Sequence, residues 1–137
     1  MIRDVPLIGS IPNMCLVELF SPLMIKDFFK YQKKISNSIF LKINNSNLIF
    51  ENFKKYKLPK IGDLLKISHK KTNKIIIICQ GADVLNEILK IKNKINLLKD
   101  ISIFSGVWLN KINKKELLKI NDKKLIIFQS SFKYGGY

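Results

Sequence analysis

The sequence predicts a single α/β domain, a mixed and mostly buried sheet of about four to five strands alternating with helices. Three observations carry this. The runs MCLVELF (14–20) and KIIIICQ (74–80) are too continuously apolar to leave one strand face in water. Between such runs, apolar residues return at helical spacing, as in Met24, Phe28, Tyr31 and Ile35, or Val84, Leu85, Ile88 and Ile91. A chain of 137 residues with 47% hydrophobic content buries one core and is too short for two.

In chain order, residues 1–13 form an N-terminal extension, 14–120 the α/β domain and 121–137 a short tail. After the first strand, Ser21 and Pro22 open a helix: the serine accepts from free first-turn amides, and proline loses nothing at the first helical position. SIFLKI (38–43) is a second strand with Ile39, Leu41 and Ile43 on one face. Leu48, Ile49 and Phe53 mark a second helix, ended by Pro59 and Gly62. IGDLLKISHKKTNK reads as a short helical turn followed by a basic loop. KIIIICQ is the clearest strand, broken by Gly81 ahead of the next helix. KDISIFSGVWL reads as a strand bent near Gly106, and Asn113 with Glu116 resembles a capping box for KKELLKI.

The net charge is +15, from 25 basic against 10 acidic residues, and Arg3 is the sole arginine. So strong a field favours a polyanionic partner, nucleic acid before a membrane surface. An A+T-rich gene also inflates Lys, Ile, Asn, Phe and Tyr, but codon bias alone need not leave acids so scarce. The longest apolar run, 75–79, is far short of the roughly 20 residues that cross a bilayer, so no membrane partner is expected. No signal peptide or arginine-rich presequence is legible, and the composition suits an organelle genome, with the mitochondrial matrix as the expected site. Cys15 and Cys79, inside apolar runs, read as buried free thiols.

Catalytic constellations are not legible. His69 is the only histidine and sits among Lys66, Lys70 and Lys71; the two cysteines lack metal-ligand spacing; Asp63 and Asp83 stand apart. QGAD follows a strand and precedes a helix, as a phosphate-binding turn would, yet it has one glycine and an acid that repels phosphate. No cofactor, metal or catalytic residue is therefore expected.

The segment LKINNSNLIF joins a strand to a helix through Asn44, Asn45, Ser46 and Asn47. Asn45 or Ser46 can cap the helix, and the same helix start offers amides to an anion, with Lys54, Lys55 and Lys57 following. With Arg3 and Lys42, these residues form the expected RNA-binding set.

The order of pieces in LVELFSPLMIKDFFKYQKKISNSIFLKINNSNLIFENF, and again in KIIIICQGADVLNEILKIKNKINLLKDISIFSGVWLNKINKKELLKI, resembles the large-subunit ribosomal protein at the base of the lateral stalk, the L ten or P zero family. The resemblance covers about residues 14–120. It implies an RNA-binding α/β domain on the GTPase-associated region of ribosomal RNA, touching neighbouring stalk-base proteins, with no catalysis. The family's basic-Asn-Thr turn falls on Asn44, Asn45 and Ser46; Asn44 replaces the basic residue, whose charge Lys42 or Lys54 would supply. NDKKLIIFQSSFKYGGY has one short strand-like run at Leu125 to Phe128 and lacks the family's long apolar helix for stalk dimers, so the resemblance implies that the dimers are absent or dock on a separate chain. Two alternatives stand beside this: another ribosomal or organellar scaffold subunit held by protein contacts, and a small α/β enzyme acting on a phosphorylated substrate near Gly81.

Overall fold

The computed structural model describes residues 4–44, 47–94, 100–118 and 120–129. Its elements run α1 (Asp4–Gly9), β1 (Met14–Leu19), α2 (Pro22–Tyr31), β2 (Ser38–Ile43), α3 (Asn47–Phe53), β3 (Leu65–Ser68), β4 (Ile75–Gln80), α4 (Ala82–Lys94), β5 (Ile101–Ser105), α5 (Lys114–Leu118) and β6 (Lys124–Gln129). This is an α/β fold, as expected, but its strands divide between two sheets. β1 and β2 form a parallel pair, and a mixed sheet has the order β3-β5-β4-β6, in which only β3 runs antiparallel.

The two sheets meet just past β5. The Glu18 amide donates to the Val107 carbonyl at 3.0 Å and the Leu109 amide to the Leu16 carbonyl at 2.9 Å. Asn110 extends this seam with its side chain: Oδ1 accepts from the Leu16 amide at 2.9 Å, and Nδ2 donates to the Met14 carbonyl at 2.8 Å. One amide side chain thus supplies both a donor and an acceptor to the edge of β1.

β4 lies between β5 and β6, so its isoleucines point into two apolar layers. Ile77 and Cys79 join the main core with Leu19, Met24, Leu85 and Ile103, while Ile76 and Ile78 pack with Leu64, Phe104 and Ile120 on the other face. That explains the unbroken apolar run. Phe20 and Phe53 meet edge to face at 5.3 Å and tie β1 to α3.

Ser21 caps α2 as its sequence suggests, Oγ accepting from the Met24 amide at 3.1 Å, and it also donates to the Tyr56 carbonyl at 2.6 Å. Asn113 caps α5 through Oδ1, which accepts from the Lys115 amide at 3.0 Å. Gly62 has φ +80°, and a Cβ there would stand 3.0 Å from the Asn113 backbone nitrogen, so the turn that seats α5 requires glycine.

Two expectations need revision. Residues 65–68 form a strand, not a helical turn with loop: Leu65 and Ile67 pack on the core and Lys66 faces out. A register shift between Lys66 and Ser68 interrupts the alternation, which hides so short a strand from a period search. The strand-like run at 125–128 is a strand, β6, but it pairs with β4 from Ile75–Lys124 to Gln80–Gln129 and so carries the α/β unit past residue 120 into the segment read as a tail.

Candidate functional site

Of the expected RNA-binding residues, Lys42 lies near the carboxyl end of β2, Asn44 just follows that strand, and Lys54, Lys55 and Lys57 follow α3. Asn44 follows β2, its amide donating to the Leu19 carbonyl at 3.0 Å and its Nδ2 to Asp83 Oδ1, at the start of α4, at 3.3 Å. Lys42 stands opposite Glu18 in the β1–β2 register, and its Nζ lies 3.1 Å from Glu18 Oε1, an ion pair not aligned as a hydrogen bond. Glu18 is only 1% exposed, so Lys42 is drawn onto a buried carboxylate. Lys54 pairs with Glu51 at 3.0 Å on the surface, Lys55 lies 5.8 Å from the Tyr56 ring centre, and Lys57 is exposed. Arg3, Asn45 and Ser46 fall outside the described residues.

Asn44 and Lys42 thus turn to acids on other elements, and the lysines after α3 stand on a separate segment. A second basic cluster sits at the opposite end of the parallel strands. Lys70, Lys71 and Lys74 occupy the turn before β4, and register places Lys124 beside Ile75. Lys123 Nζ donates to the carbonyls of Lys71 at 3.2 Å and Asn73 at 3.0 Å, and the Lys124 amide donates to the Lys74 carbonyl at 2.9 Å. The sequence shows both runs, HKKTNK and NDKK, but nothing local says that parallel pairing brings them together.

This turn rests on Ser102. Its Oγ lies 3.0 Å from His69 Nδ1, accepts from Asn73 Nδ2 at 3.3 Å and faces the Lys70 carbonyl at 3.5 Å. Serine beside histidine suggests a nucleophile and its base. Here Ser102 is 0% exposed, so no substrate reaches the hydroxyl; the group braces the lysine turn from below.

Cys15 and Cys79 are both buried free thiols. Burial pushes Cys79 up to about 12 and also raises Cys15, partly offset by Lys111, so neither offers a thiolate near neutral pH. Among the described residues no three His, Cys, Asp or Glu side chains are placed to hold a metal, and no helix is long and apolar enough to cross a membrane. An apolar groove of about 250 Å³ opens between β6, the end of β4 and the 107–112 segment, where Gln80 Nε2 donates to the Leu109 carbonyl at 2.9 Å.

No family model matches the chain. No curated protein matches its sequence. Among solved structures, the chain is similar to a split-gene transketolase chain, from an inactive β4 tetramer, with a TM-score of 0.72 and 12% identity over 98% of this chain. The match spans 45% of that subunit, and at this identity the likeness is one of fold.

Proposed function

We infer that this chain works as one α/β module of a larger transketolase-type assembly, in which catalysis is completed by another polypeptide. The extent of the fold likeness carries the reading: 98% of this chain follows 45% of a subunit that is itself a split-gene product and is inactive as a β4 tetramer. The sealed Ser102 hydroxyl and the buried, protonated thiols accord with a module that supplies shape and contacts rather than a nucleophile.

The charge of +15 favours a second reading, a ribosomal RNA-binding scaffold of the stalk-base type. In it Lys54, Lys55, Lys57 and the turn from Asn44 to Ser46 meet phosphates near the GTPase-associated region. One experiment separates the two. The chain is tagged in the cells that make it and isolated at low salt, and the isolate is assayed for transketolase activity and for large-subunit RNA. Activity with a stoichiometric second chain and no enriched RNA is expected. Enriched large-subunit RNA without activity would replace the first reading by the second.

A further inference from the structure

β6 pairs with β4 along one side, and among the described residues no strand lies along the other. An open edge carries unpaired amides and carbonyls, and natural sheets usually blunt it with charge, proline or cover. This one is apolar instead. Leu125 and Ile127, which share a face of β6, are 41% and 54% exposed, and Leu118 on neighbouring α5 is 72% exposed. They border the groove floored by Ile78, Trp108 and Leu109. A strand edge, an apolar face and a groove in one place go beyond the single exposed apolar residues of an ordinary surface.

The border of this surface is basic. Lys111 lines the groove, and Lys114 lies three and four residues before Leu117 and Leu118, on the same side of α5, beside exposed Lys115. The basic side chains outnumber the acids: Asp63 lines the groove and accepts from Asn113 Nδ2 at 3.2 Å, Glu116 is buried, and exposed Asp122 precedes β6 beside Lys123 and Lys124. A second copy would bring the same lysines against one another in a chain already at +15. The complementary occupant is apolar in the middle and acidic at its ends.

We propose that the free edge of β6 and its groove dock an extended, acid-flanked apolar segment of a different polypeptide. The segment adds as a strand beside β6, sets alternate side chains over Leu125 and Ile127, and places carboxylates against Lys111, Lys114 and Lys115. The inference stands on this surface whichever assembly the chain joins.

The test uses the full chain and two fluorescein-labelled peptides with one alternating Val-Thr core, flanked by Glu in one and by Lys in the other, read by fluorescence anisotropy. The Glu-flanked peptide is expected to bind at least about tenfold more tightly. Leu125→Glu with Ile127→Glu, at exposed positions that leave the core intact, should weaken it at least about tenfold, with circular dichroism unchanged. Hydrogen exchange at alternate amides of β6 should slow on binding. Equal binding of the two peptides, no binding, or indifference to the double substitution overturns the proposal. So does a dimer of the chain by light scattering, which assigns the edge to a second copy. Binding that appears only after removal of residues 130–137 assigns it to the chain's own end and overturns it as well.

Discussion

At the amino ends of β4 and β6, Lys70, Lys71 and Lys74 stand on a turn braced from beneath by Ser102 and Asn73, whereas at the carboxyl ends of β1 and β2 Lys42 is drawn onto buried Glu18 and Asn44 onto Asp83. Both ends look basic or amide-rich in sequence. They differ in what their polar groups already hold. A lysine 3.1 Å from a buried carboxylate spends its charge inside the protein, and a lysine on an exposed, braced turn presents its charge to solvent. Distant pairing therefore decides which cations remain for a partner.

The contrast is tested most severely at Lys42. Lys42→Ala leaves Glu18 buried without its cation and is expected to cost about 3 kcal/mol, the low end for such losses because Lys42 is partly solvated. Urea unfolding measures it, and replacing Glu18 with Gln in the same chain should recover most of the loss. At the other end, Asn73→Ala removes a buried donor to Ser102 and is expected to cost about 1.5 kcal/mol, with faster amide exchange across residues 70–74.

Near the carboxyl end of β4 lies buried Cys79, which gives a pH signature. The folded thiol keeps its proton up to about pH 12, while an unfolded thiol loses it near 9.0, so between these values the unfolded state binds fewer protons. Stability from this group is present below pH 9 and falls as pH rises, by at most about 1.4 kcal/mol per unit. Unfolding curves of the natural chain and Cys79→Ala should diverge in slope only above pH 9.

Binding of poly-U RNA ranks the two basic surfaces directly. Neutralising Lys70, Lys71 and Lys74 to Gln should lower the dependence of log K on log salt by about 2, from about 0.7 per lost single-strand contact. Lys54→Gln with Lys55→Gln should lower it by less than half as much, because Glu51 already holds Lys54. A larger effect from the second pair would restore the surface after α3 as the principal anion site. The smallest effect is expected from Lys54→Ala alone: its ion pair is exposed on both sides, and melting should register less than about 0.5 kcal/mol.

Local signals placed much of this architecture. Ser21-Pro22 and Asn113 are caps whose chemistry acts within a few residues, and the isoleucines of β4 announce burial on both faces. β3 was hidden because four residues with a register shift give too little alternation to read. β6 shows in sequence only as a short strand-like run, since its exposed Leu125 and Ile127 carry no sign of the partner β4. The site was less legible. Lys42 reads as a free cation until the register sets it opposite Glu18, and Asn44 meets an aspartate 39 residues away. The braced lysine turn needs Ser102, Asn73 and Lys123 together, three residues that no spacing rule joins.

The parallel pairing of β4 also sets an order in time. Its neighbours β5 and β6 both come later in the chain, and Lys124 is synthesised about fifty residues after Ile75, a delay of roughly 3 to 10 s at ordinary elongation rates. For about the first half of that interval the four isoleucines of β4 lack both flanks, and for the rest they lack β6, in a segment of the kind that seeds intermolecular sheets. The yield of soluble chain therefore depends on how quickly the last strand is delivered, and slowing translation between residues 80 and 124 is expected to lower it.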